Sequence, residues 1–164
     1  MGRRSSVVAI VILAFAGLSL TSIAAPTGRG TPSENAPFLL EERYDSEPDP
    51  KQRVLIAIKL AEVRLKELQA AYKKGTPAPQ KEAAENYLGA VDRLGKAASE
   101  AADMGYSKKA EQRLRHQLRE LEDLKMAVSY QERPTVVEIA ARVAKVQEKI
   151  LYSIMQPRQE SAKR

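Results

Sequence analysis

The chain has 164 residues, with 27 basic and 21 acidic side chains, a net charge of +6 and no cysteine. That length predicts one domain, and the missing thiols exclude disulfides, cysteine nucleophiles, cysteine-ligated zinc and lipoprotein acylation. So mild a charge is weaker than the clustered footprint of a nucleic-acid-binding domain, so nucleic acid is not an expected partner. With no Trp and two Phe, the core must come from aliphatic side chains and Tyr, which suits helices packed by aliphatic ridges.

Residues 1 to 24 combine Arg3 and Arg4, the apolar run Val7 to Leu20, and small side chains at Ser22 and Ala24. This order predicts a secretory signal peptide cleaved after Ala24, with the mature chain periplasmic or secreted. An uncleaved membrane anchor is the alternative, because Val7 to Ala25 is near the shortest length that can span. Residues 25 to 48 carry Pro26, Pro32, Pro37 and Pro48 among Gly, Ser, Thr and charged residues. They predict a flexible, extended segment. Its apolar island, Phe38 to Tyr44, either docks on the protein's own helices or serves a partner.

Residues 49 to 156 predict an all-α domain of four amphipathic helices. The first has Asp49 as cap, Pro50 in its first turn and the stripe Val54, Ile58, Ala61, Leu65, Leu68 and Tyr72, ending at Gly75. Val54 to Ile58 is apolar at every position, so burial on more than one side is expected there. The second helix starts after Thr76-Pro77 and carries Ala84, Tyr87, Val91, Leu94, Ala98 and Ala101 as far as Gly105. Gly89 and Gly95 weaken it by about 1 kcal/mol each. Ser107 is the expected cap of the third, with Ala110, Leu114, Leu118, Leu121, Leu124 and Val128 inward. A capping box at Thr135 and Glu138 opens the fourth, striped by Val136, Ile139, Val143, Val146, Ile150 and Ile154. Residues 157 to 164 form a polar tail, expected to be disordered. Short connections predict an antiparallel up-down bundle or two long helical hairpins.

The first helix, Asp49-Pro50-Lys51-Gln52-Arg53 leading to Leu60-Ala61-Glu62-Val63-Arg64-Leu65, resembles the opening of uncharacterised bacterial exported helical domains, some of which sit behind anti-sigma-factor anchors. Leu118 to Leu124, running on to Glu132-Arg133-Pro134, is similar to other uncharacterised bacterial secreted proteins. The resemblance implies an exported all-helical domain and carries over no functional residues.

His116 is the only histidine, and Glu120 lies one helical turn further along the same face, so the pair could supply half of a metal site. The bland account is an exposed helix-surface pair. Lys108, Lys109, Arg113, Arg115 and Arg119 crowd the start of the third helix, where Lys108 and Lys109 oppose its dipole. They are candidates for an anionic surface or partner, or an ordinary solvated face with Glu111, Glu120, Glu122 and Asp123 interleaved. No phosphate loop, nucleophile elbow or dinucleotide fingerprint is present, so neither catalysis nor a cofactor is expected. The residues point first to a helical interaction module of the bacterial envelope (an adaptor, sensor or holdase-like binder of another envelope protein) with an apolar groove along the Ala-rich second helix. The alternatives are a peripheral binder of anionic membrane or polyanion and a metal-binding bundle. Stripes this regular also suit a homodimer.

Overall fold

The computed structural model describes residues 36–156, which form five α-helices and no strand: α1 Pro37–Ser46, α2 Pro50–Lys74, α3 Pro77–Ala101, α4 Met104–Ala127 and α5 Arg133–Met155. The all-α expectation holds, with one helix more than the four expected. The expected signal peptide, residues 25–35 and the tail lie outside the described residues.

The additional helix is α1, inside the stretch expected to be extended. Pro37 takes a first-turn position, where its missing N–H is one that no helix could use. Leu40 and Tyr44, four residues apart on one face, are both buried, and α1 packs on α2. The Tyr44 hydroxyl donates to the Arg93 carbonyl oxygen at 3.1 Å, while Glu41 takes Arg64 at 2.9 Å and Arg93 at 3.6 Å. The apolar island thus docks on its own domain.

Asp49 caps α2 as expected, accepting from the Lys51 N–H at 3.0 Å, and Gly75 ends it in the left-handed region at φ 71°. Val54, Ile56, Ala57 and Ile58 are all buried, because α2 has α1, α3 and α4 around it.

Two boundaries differ from expectation. The second predicted helix does not run to Gly105: α3 stops at Ala101, and Ala102 turns the chain at φ 46°. Asp103, rather than Ser107, then caps α4, its Oδ1 accepting from the N–H groups of Gly105 at 2.9 Å and Tyr106 at 3.3 Å. Gly105 therefore sits in a first turn instead of breaking a helix, and Ser107 is buried inside α4. Likewise Thr135 is not a cap. The first turn of α5 tolerates Pro134, so the helix reaches back to Arg133. Glu132 braces the preceding turn by accepting from the Ser129 N–H at 3.1 Å and its hydroxyl at 2.6 Å.

Contacts between helices fix their directions. Lys51 meets Asp103 at 3.1 Å, Glu62 meets Arg113 at 2.7 Å, and Gln69 donates to Glu120 at 3.1 Å. These partners stand 52, 51 and 51 residues apart, so α2 and α4 run parallel. The pairs Gln80–Glu132, Asp92–Arg142 and Gly95–Val146, 52, 50 and 51 apart, set α3 parallel to α5. Arg53 on Glu100 at 3.0 Å makes α2 and α3 antiparallel, as Gln147 on Glu111 at 2.6 Å does for α4 and α5. α2 with α4 thus forms one layer and α3 with α5 the other. In a closed up-down bundle of these four helices α2 and α5 would be neighbours, and they make no close backbone approach.

Candidate functional site

His116 Nε2 and Glu120 Oε1 lie 3.2 Å apart at the surface, as their spacing implies. Glu120 also accepts from Gln69, across the gap to α2. Among the described residues no three His, Asp or Glu side chains gather as metal ligands, so the pair stays a pair.

The five basic candidates on α4 separate into different environments. Arg113 is engaged with Glu62 of α2. Arg115 reaches Glu111 at 2.6 Å, and Glu111, buried, also accepts from Gln147 of α5. Removing one partner of a buried carboxylate leaves an uncompensated charge, so Arg115 has a structural duty. Lys109 lies over the Tyr106 ring at 5.2 Å, an arrangement that favours the cation modestly at an exposed site. Lys108 and Arg119 are exposed and have no acidic partner within ion-pair distance among the described residues.

A groove of about 860 Å³ lies between the first halves of α3 and α5. Tyr72, Ala84, Leu88 and Ile139, themselves almost fully buried, face it, with Lys81, Glu85, Glu138 and Arg142 around it. Two features open it. Small side chains such as Ala84 leave the inner face of α3 unfilled. At Gly95, by contrast, the two helices come close: a β-carbon there would sit 2.8 Å from Val146 Cγ1. The helices therefore meet tightly at Gly95 and leave space towards Gln80 and Thr135. At that open end Gln80 Nε2 donates to Glu132 Oε1 at 2.6 Å. Hydrogen bonds from Ser129, then Gln80, hold the Glu132 carboxyl below its ordinary value.

A buried polar link crosses the interior, where the Tyr87 hydroxyl of α3 donates to Gln117 Oε1 of α4 at 3.1 Å. Burial pushes the Tyr87 phenol far up, keeping it a neutral donor.

The groove lies along the Ala-rich helix, where the sequence placed it, but its second wall on α5 was not legible. A basic row on α2, comprising Lys59, Lys66 and Lys73, was also missed, and its seven-residue spacing was the available signal. No helix among the described residues is long and apolar enough to cross a membrane. No protein-family model matches the chain, and neither does any curated protein or solved structure.

Proposed function

We propose that this chain is an exported, non-catalytic interaction module of the bacterial envelope that holds an apolar-anchored segment of a partner protein in the α3–α5 groove. The observation that carries the reading is the groove itself: an apolar floor between two parallel helices, rimmed by charges of both signs. This is the geometry in which an amphipathic helix or extended peptide lays its apolar face. Export rests on the order of residues 1 to 24 and on the resemblance to exported helical domains. Among the described residues no three His, Asp or Glu side chains gather as metal ligands, which favours binding over metal-assisted catalysis. We read the finer architecture as two long hairpins, α2–α3 and α4–α5, stacked in register, since each pair of parallel helices keeps the same step of about 51 residues. Such stacks present long grooves between equivalent helices.

The test places a photo-crosslinking residue at Lys81 or Thr135, on the groove, and at Lys59 or Lys149 as controls, in cells making the full chain. The expected result is a discrete adduct from the groove positions alone. Adding the captured partner to the purified protein should then slow amide exchange in residues 77–88 and 135–142. Equal adducts from all positions, or unchanged exchange in the groove, would overturn the reading.

A further inference from the structure

Charge divides between the two layers. α2 holds seven basic and two acidic residues, and α4 six and four, so this layer nets +7. The other layer, α3 with α5, holds seven basic and six acidic residues, a net of +1, and α1, which packs on α2, holds one basic and three acidic. The acids of the positive layer are already engaged: Glu62 with Arg113, Glu67 with Arg64, Glu111 with Arg115, Glu120 with His116 and Glu122 with Lys125. Of this layer's acids only Asp123 has no Lys, Arg or His within ion-pair distance among the described residues. Exposed Lys59, Lys66 and Lys73 on α2, with Lys108 and Arg119 on α4, have no acidic partner within ion-pair distance among the described residues.

These cations are spread out. Lys59, Lys66 and Lys73 lie on one side of α2 and cover about 21 Å at 1.5 Å per residue. Lys108 and Arg119, about three turns apart, form a second row on α4, which runs parallel. A compact anion needs converging donors, which two extended rows do not provide. A single-stranded polyanion is held by aromatic stacking as well as charge. Yet the aromatic rings of these two helices are Tyr72, which is buried, and Tyr106, which Lys51 and Lys109 cover. Of the large exposed apolar side chains, Phe38, Val137, Tyr152 and Met155 belong to α1 and α5, while Met104 and Met126 stand at opposite ends of α4. At 1.5 Å per residue those two are about 33 Å apart, too far to anchor one short peptide together. What remains complementary is a broad anionic plane. Lys side chains can lay their alkyl stems along such a surface while the ammonium groups stay in water.

From this we infer that the α2–α4 layer is a docking surface for a bilayer containing anionic phospholipid. Docking there leaves the α3–α5 groove, in the other layer, facing away from the lipid.

The experiment is cosedimentation of the purified full chain with phosphatidylcholine vesicles, with and without phosphatidylglycerol, across a salt series. The wild type should bind only the anionic vesicles and lose binding steeply as salt rises. Each lysine near an anionic leaflet contributes enough that the Lys59→Gln, Lys66→Gln, Lys73→Gln triple variant should bind about a hundredfold more weakly. A second variant, Lys108→Gln with Arg119→Gln, should also bind more weakly, which keeps the test decisive if the triple variant melts. Lys96→Gln, Lys145→Gln and Lys149→Gln, combined on the opposite layer, should bind as the wild type does. The inference is overturned by salt-insensitive binding, by equal losses from both layers, by no binding at low salt, or by tighter binding to heparin than to the vesicles.

Discussion

Gly89 and Gly95 lie six residues apart in one helix, and replacing each with Ala should have opposite effects. A β-carbon at Gly89 meets nothing within 4 Å. Gly89→Ala should therefore show the helix-propensity gain alone, about 0.5–1 kcal/mol. At Gly95 the same gain is opposed by the 2.8 Å approach to Val146 Cγ1. Ordinary carbon contacts fall at about 3.5–4.0 Å, so α5 must shift or Val146 must leave its preferred rotamer, which in a helix is strongly favoured. Overpacking of this kind costs about 1–3 kcal/mol, leaving Gly95→Ala neutral to destabilising by about 2 kcal/mol after the propensity gain. At about 4 °C per kcal/mol for a domain of this size, the two variants should differ in Tm by several degrees. Thermal melts followed by circular dichroism read the difference directly. A double-mutant cycle with Val146→Ala should restore stability to Gly95→Ala, with a coupling of about 1 kcal/mol or more. Equal increases in Tm for Gly89→Ala and Gly95→Ala would show that α3 and α5 do not meet as described.

Leu40→Ala should cost about 2–4 kcal/mol and speed amide exchange in residues 37–46 far more than in α5; uniform acceleration would mean α1 is integral to the whole core. Ala102→Gly should raise Tm, since glycine adopts the left-handed turn at φ 46° without the penalty on alanine; a fall would place the strain elsewhere. Glu132 is held below its ordinary value of 4.5 by hydrogen bonds, so its contribution is complete above about that pH and is lost as pH falls through the lowered value. Glu132→Gln should accordingly flatten the stability profile below pH 4.5 and leave its shape at neutral pH unchanged, as pH-dependent melts can check. His116→Ala should leave Tm within a few degrees of the wild type, as exposed substitutions do, and added zinc should stabilise neither protein; zinc stabilisation abolished by the substitution would restore the metal reading.

The helices were legible because the chain keeps a helical period of apolar residues, and Val54 through Tyr72 and Val136 through Ile150 are buried largely as that period requires. Boundaries were harder, because Gly and Pro act differently by position. Gly105 and Pro134 resemble breakers in one dimension, yet both occupy first turns, where the backbone donors are free for Asp103 or missing at no cost. α1 went unread because its two buried residues, Leu40 and Tyr44, are too few to show a period. The buried polar residues of α4 were illegible for a different reason. Glu111 and Gln117 are buried through partners 36 and 30 residues away, on α5 and α3, and nothing local announces a partner that distant. Of the site, the helix lining the groove was foreseen, while the partition of charge between layers required knowing which helices run side by side.

The contact between Gly95 and Val146 gives the α3–α5 pair the mechanics of a lever. Gln80 lies fifteen residues from Gly95, about 22 Å along the helix axis. A tilt of about 5° at that fulcrum would displace the far end by about 2 Å over such an arm. Val146 sits outside the groove, yet a larger contact at Gly95 would push α3 from α5 and so bear on the width of the mouth. The Gln80–Glu132 hydrogen bond ties that end and opposes the opening. Enlarging the fulcrum with Gly95→Ala should then lengthen the distance between spin labels at Lys81 and Glu138 by an amount of that order, with no residue of the groove itself altered.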